Sequence, residues 1–133
     1  VRVEVSGDAQ APIEKAQLRR ALINLLNNAV QHTAPDQVIE VRIENGPEQV
    51  TIAVSNPGPA IEDAHLPLLF ERFYRVDAAR SNSGGGNHGL GLAIVKAIAL
   101  MHGGEVFVRS EAGANTFGIR LPSAQLRGFA AEA

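Results

Sequence analysis

Residues 18–33 constrain the fold of this chain more than any other stretch. Leu18, Leu22, Leu25, Leu26 and Ala29 recur at helical spacing, so a helix here has one apolar arc to bury. Asn24, Asn28, Gln31 and His32 fall within a neighbouring arc of about 100° at 3.6 residues per turn. Asn24 and Asn28 are four apart, one turn from each other on the same face. Amides are weak helix formers because they compete for nearby backbone groups. A polar stripe that lacks Lys and Glu is not an ordinary solvated face. It suits an oxygen-rich ligand, or a metal ion that such a ligand carries.

A helix with a single apolar arc needs a second layer beneath it, and the rest of the chain supplies strands. Val1 to Val5 alternates as a half-buried strand, and Gly7 to Pro12 reads as a loop. The helix opens at Pro12 or Ile13 and stops near His32, where Thr33, Ala34, Pro35 and Asp36 break it. Val38, Val41 and Ile43 mark a second strand, and Val50, Ile52 and Val54 a third. Asn45 to Glu48 joins them as a hairpin turn. Asn56 to Pro59 reads as a turn-rich loop and Leu66 to Phe70 as a short helix. Leu90 to His102 is a helix capped by Gly103 and Gly104. Val106 and Val108 lie in a fourth strand, Glu111 to Asn115 turn the chain, and Thr116 to Leu121 form a fifth. Hairpins force antiparallel pairs. The simplest packing is α+β: a two-layer α/β sandwich with a mixed, mostly antiparallel sheet of about five strands against two long helices and a short one.

Length and composition bound the function. The 133 residues suit one domain, expected over 1–122 with a flexible tail at 123–133. The net charge of −2 and the lack of a basic block argue against a nucleic-acid partner. There is no cysteine, which excludes disulfides and thiolate metal sites. No apolar run approaches the ~20 residues of a membrane span, so no membrane contact is expected of this domain itself. The chain opens abruptly on a strand pattern, as a piece of a longer protein would.

Three further segments carry chemistry. Gly84, Gly85, Gly86, Gly89 and Gly91 cluster just before a helix. Glycine lets backbone N–H groups approach an anion, and the helix N-terminus favours negative charge. This is not a Walker loop, since no Gly-Lys-Ser or Gly-Lys-Thr follows, nor a Rossmann fingerprint, since no strand leads into it. A flexible linker is the rival reading. Asn56-Pro57-Gly58-Pro59-Ala60-Ile61 follows a strand, and a polar side chain there points into whatever cavity lies beyond. In the segment from Leu69 to Arg75, Phe70, Phe73 and Tyr74 anchor to the core, while Arg72 and Arg75 offer planar donor forks for phosphate. The four histidines have no metal-ligand spacing, and His102 suits a helix C-terminus.

In order, these segments resemble the ATP-binding catalytic domain of sensor histidine kinases, which has the Bergerat fold. The resemblance runs from about Val1 to Pro122. The long helix is similar to the family's N box, with Asn28 in the place of the Mg2+-binding asparagine and Asn24 near the phosphates. His32 stands where the family places an aromatic or histidine near the nucleotide. Asn56 to Ile61 resembles the first glycine box, which implies nucleotide contacts at Asn56, Gly58, Ala60 and Ile61. Leu69 to Tyr74 resembles the F box, implying roles for Phe70, Arg72, Tyr74 and Arg75. Gly89-Leu90-Gly91-Leu92 resembles the second glycine box, preceded by an ATP lid at about 71–88 that includes Gly86 and His88. Gly113 to Leu121 resembles the third box, with Thr116 and Phe117 at the adenine pocket. Asn56 to Pro59 followed by Phe73 to Asp77 is most similar to the heavy-metal-sensing kinases.

Several positions depart from the family pattern. Asn56 stands where Asp usually accepts the adenine amino proton, which implies a weaker but intact adenine contact. Ala60 replaces a glycine, Asn87 stands where glycine is common, and Gln31 replaces a frequent Lys or Arg. Bergerat ATPases carry a water-activating Glu where this chain has Asn24, and an amide takes no proton. The resemblance therefore implies a kinase that uses ATP and Mg2+ and assigns Asn24 and Asn28 to catalysis. The phosphoacceptor histidine would sit on a separate dimerisation domain of the same kinase, and a response regulator would act through that domain. The implied location is the cytoplasmic side of a bacterial inner membrane. A Bergerat ATPase and a non-catalytic nucleotide-binding interaction module stay open as alternatives.

Overall fold

The computed structural model describes residues 2–7, 13–72, 74 and 91–123. Strand β1 (Arg2–Ser6) leads to helix α1 (Lys15–Gln31), then β2 (Val38–Asn45) and β3 (Gln49–Pro57). A single 3-10 turn covers Leu66–Leu68, followed by helix α2 (Gly91–Met101), β4 (Glu105–Glu111) and β5 (Ala114–Pro122). The sheet order is β1-β2-β3-β5-β4, with β1 parallel to β2 and every other pair antiparallel. This is the expected mixed five-stranded sheet.

The two helices pack on each other, α1 against β3 and α2 against β4 and β5. Ala21, Leu25 and Ala29 of α1 and Val95, Ile98 and Ala99 of α2 are buried on Ile39, Val54, Phe117 and Ile119 of the sheet. Leu25 is wholly buried, and truncation of such a leucine to Ala costs about 2–5 kcal/mol. The backbone N–H of Glu14, at the start of α1, donates to His102 Nε2 at 3.3 Å, and His102 Nδ1 lies 2.8 Å from the Ile98 carbonyl just past the end of α2. The helices therefore run antiparallel, which turns Gly91 toward the asparagine-bearing half of α1. Gly103, at φ 76°, turns the chain out of α2, and the Gly104 N–H bonds the Ala99 carbonyl at 2.8 Å.

Several expectations need correction. All five residues of β1 are exposed rather than half-buried. Val3 and Val5 pair with Ile39 and Val41, so they lie on the core-facing side, but the helices cover β3 to β5 and leave β1 bare. Helix α1 begins at Lys15, after Ile13. Asn56 and Pro57 belong to β3 rather than to a loop, because the β3–β5 ladder runs on to Pro57↔Ala114. The expected turn over 111–115 shrinks to Ala112 and Gly113, at φ 50° and 79°, and Asn115 becomes part of β5. Two successive positive φ values match the right-handed twist of a tight hairpin. The expected helix at 66–70 is one 3-10 turn containing Pro67. Ser123, placed in the tail, is buried, and its N–H donates to the Glu48 carbonyl at 3.1 Å. The rest of the tail, 124–133, lies outside the described residues.

Candidate functional site: buried carboxamides at the helix and strand ends

Side-chain alternation places the site. Along β3 the buried positions are Val50, Ile52, Val54 and Asn56; along β5 they include Asn115, Phe117, Ile119 and Leu121. Each strand thus ends its apolar series with an asparagine on the helix-facing side. The two asparagines are direct cross-strand partners. Asn28 of α1 joins them on that side, and is also buried.

The three amides are treated differently. Asn56 is 2% exposed, and its Nδ2 donates to the carbonyl of Pro57 at 3.1 Å and of His32 at 3.5 Å. These bonds tie the end of β3 to the C-cap of α1. Asn115 donates from Nδ2 to the Pro59 carbonyl at 3.0 Å and accepts from Ser110 Oγ at 2.6 Å. Asn28 is 4% exposed, and its Nδ2 has no hydrogen-bond partner. A buried donor without a partner costs about 1–3 kcal/mol, so this amide gains from an acceptor that a ligand brings. Asn24 is half-buried one turn earlier, and Gln31 is exposed. His32 is exposed in area, yet protein surrounds enough of the ring for burial to lower its pKa below the ordinary 6.5.

The glycine-box loop lies beside these amides. The Gly58 N–H donates to the Gly113 carbonyl at 3.0 Å, and Ile61 packs on the core while Ala60 is exposed. A Cβ on Gly58 would stand 3.3 Å from Asn115 Nδ2 and 3.6 Å from Asn56 Nδ2, so its backbone rests against both amides. At the first turn of α2, Gly91 and Leu92 are half-buried. Helix-start N–H groups lack intrahelical acceptors and favour anions.

Other expected residues play different parts. Phe70 is a core residue, edge-on to Phe117 with ring centroids 6.1 Å apart. Tyr74 is half-buried, with its hydroxyl bonded to His65 Nδ1. Arg72 is exposed, and its neighbour Glu71 is paired with Lys96 of α2 at 3.0 Å. Thr116 is not brought to the group. It alternates with Asn115 and Phe117, so its side chain lies on the sheet's other face, with Oγ1 2.6 Å from Ser55 Oγ. Asn115, which the sequence reading passed over, stands on the site's side instead. Its signal was an amide in phase with Phe117, Ile119 and Leu121. Arg75, Gly86, Asn87, His88, Gly89 and Leu90 lie outside the described residues.

The donor set fits a magnesium nucleotide. Among the described residues no three His, Cys, Asp or Glu side chains converge as a metal cage. Mg2+ needs none, since it takes one or two protein oxygens and completes its shell with phosphates and water. The Asn28 carboxamide carries one such oxygen, Oδ1, while its Nδ2 donor is the atom without a partner. An open cavity of about 480 Å³ at the β2–β3 hairpin lies at the other end of β3 and carries Glu44 and Glu48, which repel a triphosphate. Chemistry therefore places the site at the carboxamides rather than at that cavity.

Comparisons with known proteins identify the family and the fold. Residues 13–125 match the family described as histidine kinase-, DNA gyrase B-, and HSP90-like ATPase. The chain is 47% identical over 118 residues to the sensor histidine kinase CusS of Escherichia coli O157:H7, covering 89% of this chain and 24% of that protein. It is 39% identical over 123 residues to the sensor protein CzcS of Cupriavidus metallidurans, covering 92% of this chain and 26% of the relative. The fold is similar to the mycobacterial sensor histidine kinase MprB, with TM-score 0.76, 34% identity, and 91% and 81% of the two chains covered. The chain spans about a quarter of the length of the curated relatives it matches.

Proposed function

The chain belongs to the histidine kinase-, DNA gyrase B-, and HSP90-like ATPase family, and from that premise we propose that it is the ATP-binding catalytic domain of a sensor histidine kinase. It binds Mg-ATP and directs the γ-phosphoryl group to a histidine on a separate dimerisation domain of the same kinase. A response regulator takes the phosphoryl group from that domain. It groups with the heavy-metal-sensing kinases, and the domain works on the cytoplasmic side of the bacterial inner membrane. Among the described residues no helix is long and apolar enough to cross a membrane.

The observation that carries this reading is Asn28, a buried carboxamide with an unmade hydrogen bond one turn beyond Asn24. Asn28 would hold the metal through its amide oxygen and offer its unpartnered Nδ2 to a phosphate oxygen. Asn56, with Nδ2 committed to two carbonyls, presents its oxygen to the adenine amino group. The backbone N–H groups at Gly91 and Leu92 receive phosphate oxygens. Bound Mg2+ supplies charge neutralisation at the phosphates. The chain's own work is to position the nucleotide for phosphoryl transfer to imidazole, already a nucleophile when neutral.

Asn24 favours transfer over hydrolysis, because an amide cannot take a proton from water. The test is to add radiolabelled ATP to the chain together with its cognate histidine-containing domain. The expected label is acid-labile and alkali-stable, as phosphohistidine is. Label released only as inorganic phosphate would favour the ATPase reading, and bound nucleotide with neither product would favour the non-catalytic interaction module.

A further inference from the structure

The loop from Gly58 to Ile61 cannot hold its own shape by backbone pairing. Pro57 and Pro59 have no N–H, and β3 ends at Pro57. Its free backbone groups must therefore find partners elsewhere. They find them on the β4–β5 hairpin. The Ile61 N–H donates to Ser110 Oγ at 2.9 Å. The Ser110 hydroxyl donates onward to Asn115 Oδ1 at 2.6 Å. Asn115 Nδ2 returns to the loop, donating to the Pro59 carbonyl at 3.0 Å. Ser110 and Asn115 are cross-strand partners, so both side chains rise from one point of the sheet. The Gly58 N–H to Gly113 carbonyl bond closes the same junction from the turn.

The direction of each bond matters. Ser110 both accepts and donates, and Asn115 uses its oxygen and its nitrogen at once. This two-residue clamp grips the loop at Pro59 and Ile61. The carboxamide it centres on is 6% exposed. It also stands across the ladder from Asn56, with the Gly58 backbone resting against both amides. A shift of the loop would thus move the surface beside Asn56.

We infer that Ser110 and Asn115 are positioning residues for the purine. They fix the 58–61 loop beside Asn56 without touching the nucleotide, and so set discrimination between a 6-amino and a 6-oxo base. This rests on the nucleotide reading above. An acceptor at Asn56 rewards a 6-amino group only when the base is held in one place. A loosened loop lets either base find a tolerable pose.

The test compares fluorescent trinitrophenyl analogues of ATP and GTP on the wild-type chain, Ser110→Ala and Ser110→Thr. Ser110→Ala is expected to weaken ATP-analogue binding about tenfold, the worth of about one hydrogen bond, and to lower the ATP-over-GTP preference by a similar factor. Global destabilisation would weaken both analogues equally. Ser110→Thr keeps the hydroxyl and is expected to stay within about twofold of wild type. Hydrogen exchange at the Ile61 amide should accelerate in Ser110→Ala and remain slow in Ser110→Thr. If Ser110→Ala does not fold, Asn115→Asp serves. It keeps the acceptor for Ser110 but loses the donor to Pro59, and should show the same loss of preference. An unchanged ATP-over-GTP ratio in a folded variant overturns the positioning role alone. No binding of either analogue by the wild type overturns the nucleotide reading, and the positioning role falls with it.

Discussion

Asn28 and Asn56 are both buried asparagines on the helix-facing side of the sheet, at 4% and 2% exposure, yet they differ in what surrounds them. Asn56 spends its two N–H groups on the carbonyls of His32 and Pro57, and so joins a helix end to a strand end. Asn28 Nδ2 has no hydrogen-bond partner. A satisfied buried amide is part of the architecture. One left short of a partner weakens the fold by itself, and is retained where a ligand uses the group. Two residues of the same type thus differ: one is bonded into the fold, and the other keeps a donor that, on the reading proposed above, a ligand uses.

That contrast breaks most readily at Asn28. Asn28→Leu keeps the volume and removes the orphaned donor. The fold is expected to gain about 1 kcal/mol in denaturant unfolding, while Mg-ATP affinity measured by calorimetry falls about 100-fold, as for a lost metal ligand. Loss of both stability and affinity would make Asn28 architectural, like Asn56. The reverse substitution on the wall sharpens the comparison. Asn56→Leu should lose about 1–3 kcal/mol of stability, because the carbonyls it served are left unpaired. No loss would mean that those bonds add nothing.

The smallest effect concerns His32, whose carbonyl Asn56 binds. Burial lowers the pKa of its ring, so the unfolded chain holds more protons just below the ordinary 6.5. The stability this neutral ring contributes is fully present above that value and is lost as pH falls through the lower folded pKa. His32→Gln should flatten that part of the stability curve in unfolding measured between about pH 5.5 and 7.5 (roughly one unit either side of an unperturbed histidine). An identical curve in the variant would mean that the ring is solvated in the folded state.

Periodicity made the strands, helices and core legible, because burial on one face leaves a regular trace. It could not show which strand the helices leave uncovered. Val3 and Val5 alternate as well as Val50 and Ile52 do, yet they are 42% and 64% exposed. The asparagine helix was legible because uncharged amides are odd on a helix flank. With the turn read over Glu111 to Asn115, Asn115 has no place in the alternation of the strand. Once the turn contracts to Ala112 and Gly113, Asn115 falls in phase with Phe117 and Thr116 falls out of phase. The missing bond at Asn28 and the clamp from Ser110 depend on three-dimensional neighbours far apart in the chain, which no local pattern records.

The division between the two amides can be observed directly. In nitrogen-15-labelled protein, Mn2+ added with a non-hydrolysable ATP analogue should broaden the side-chain NH2 resonances of Asn28 before those of Asn56 or Asn115. Neither the metal nor the analogue alone should do so. Broadening that leaves Asn28 untouched while the analogue is bound would contradict the account.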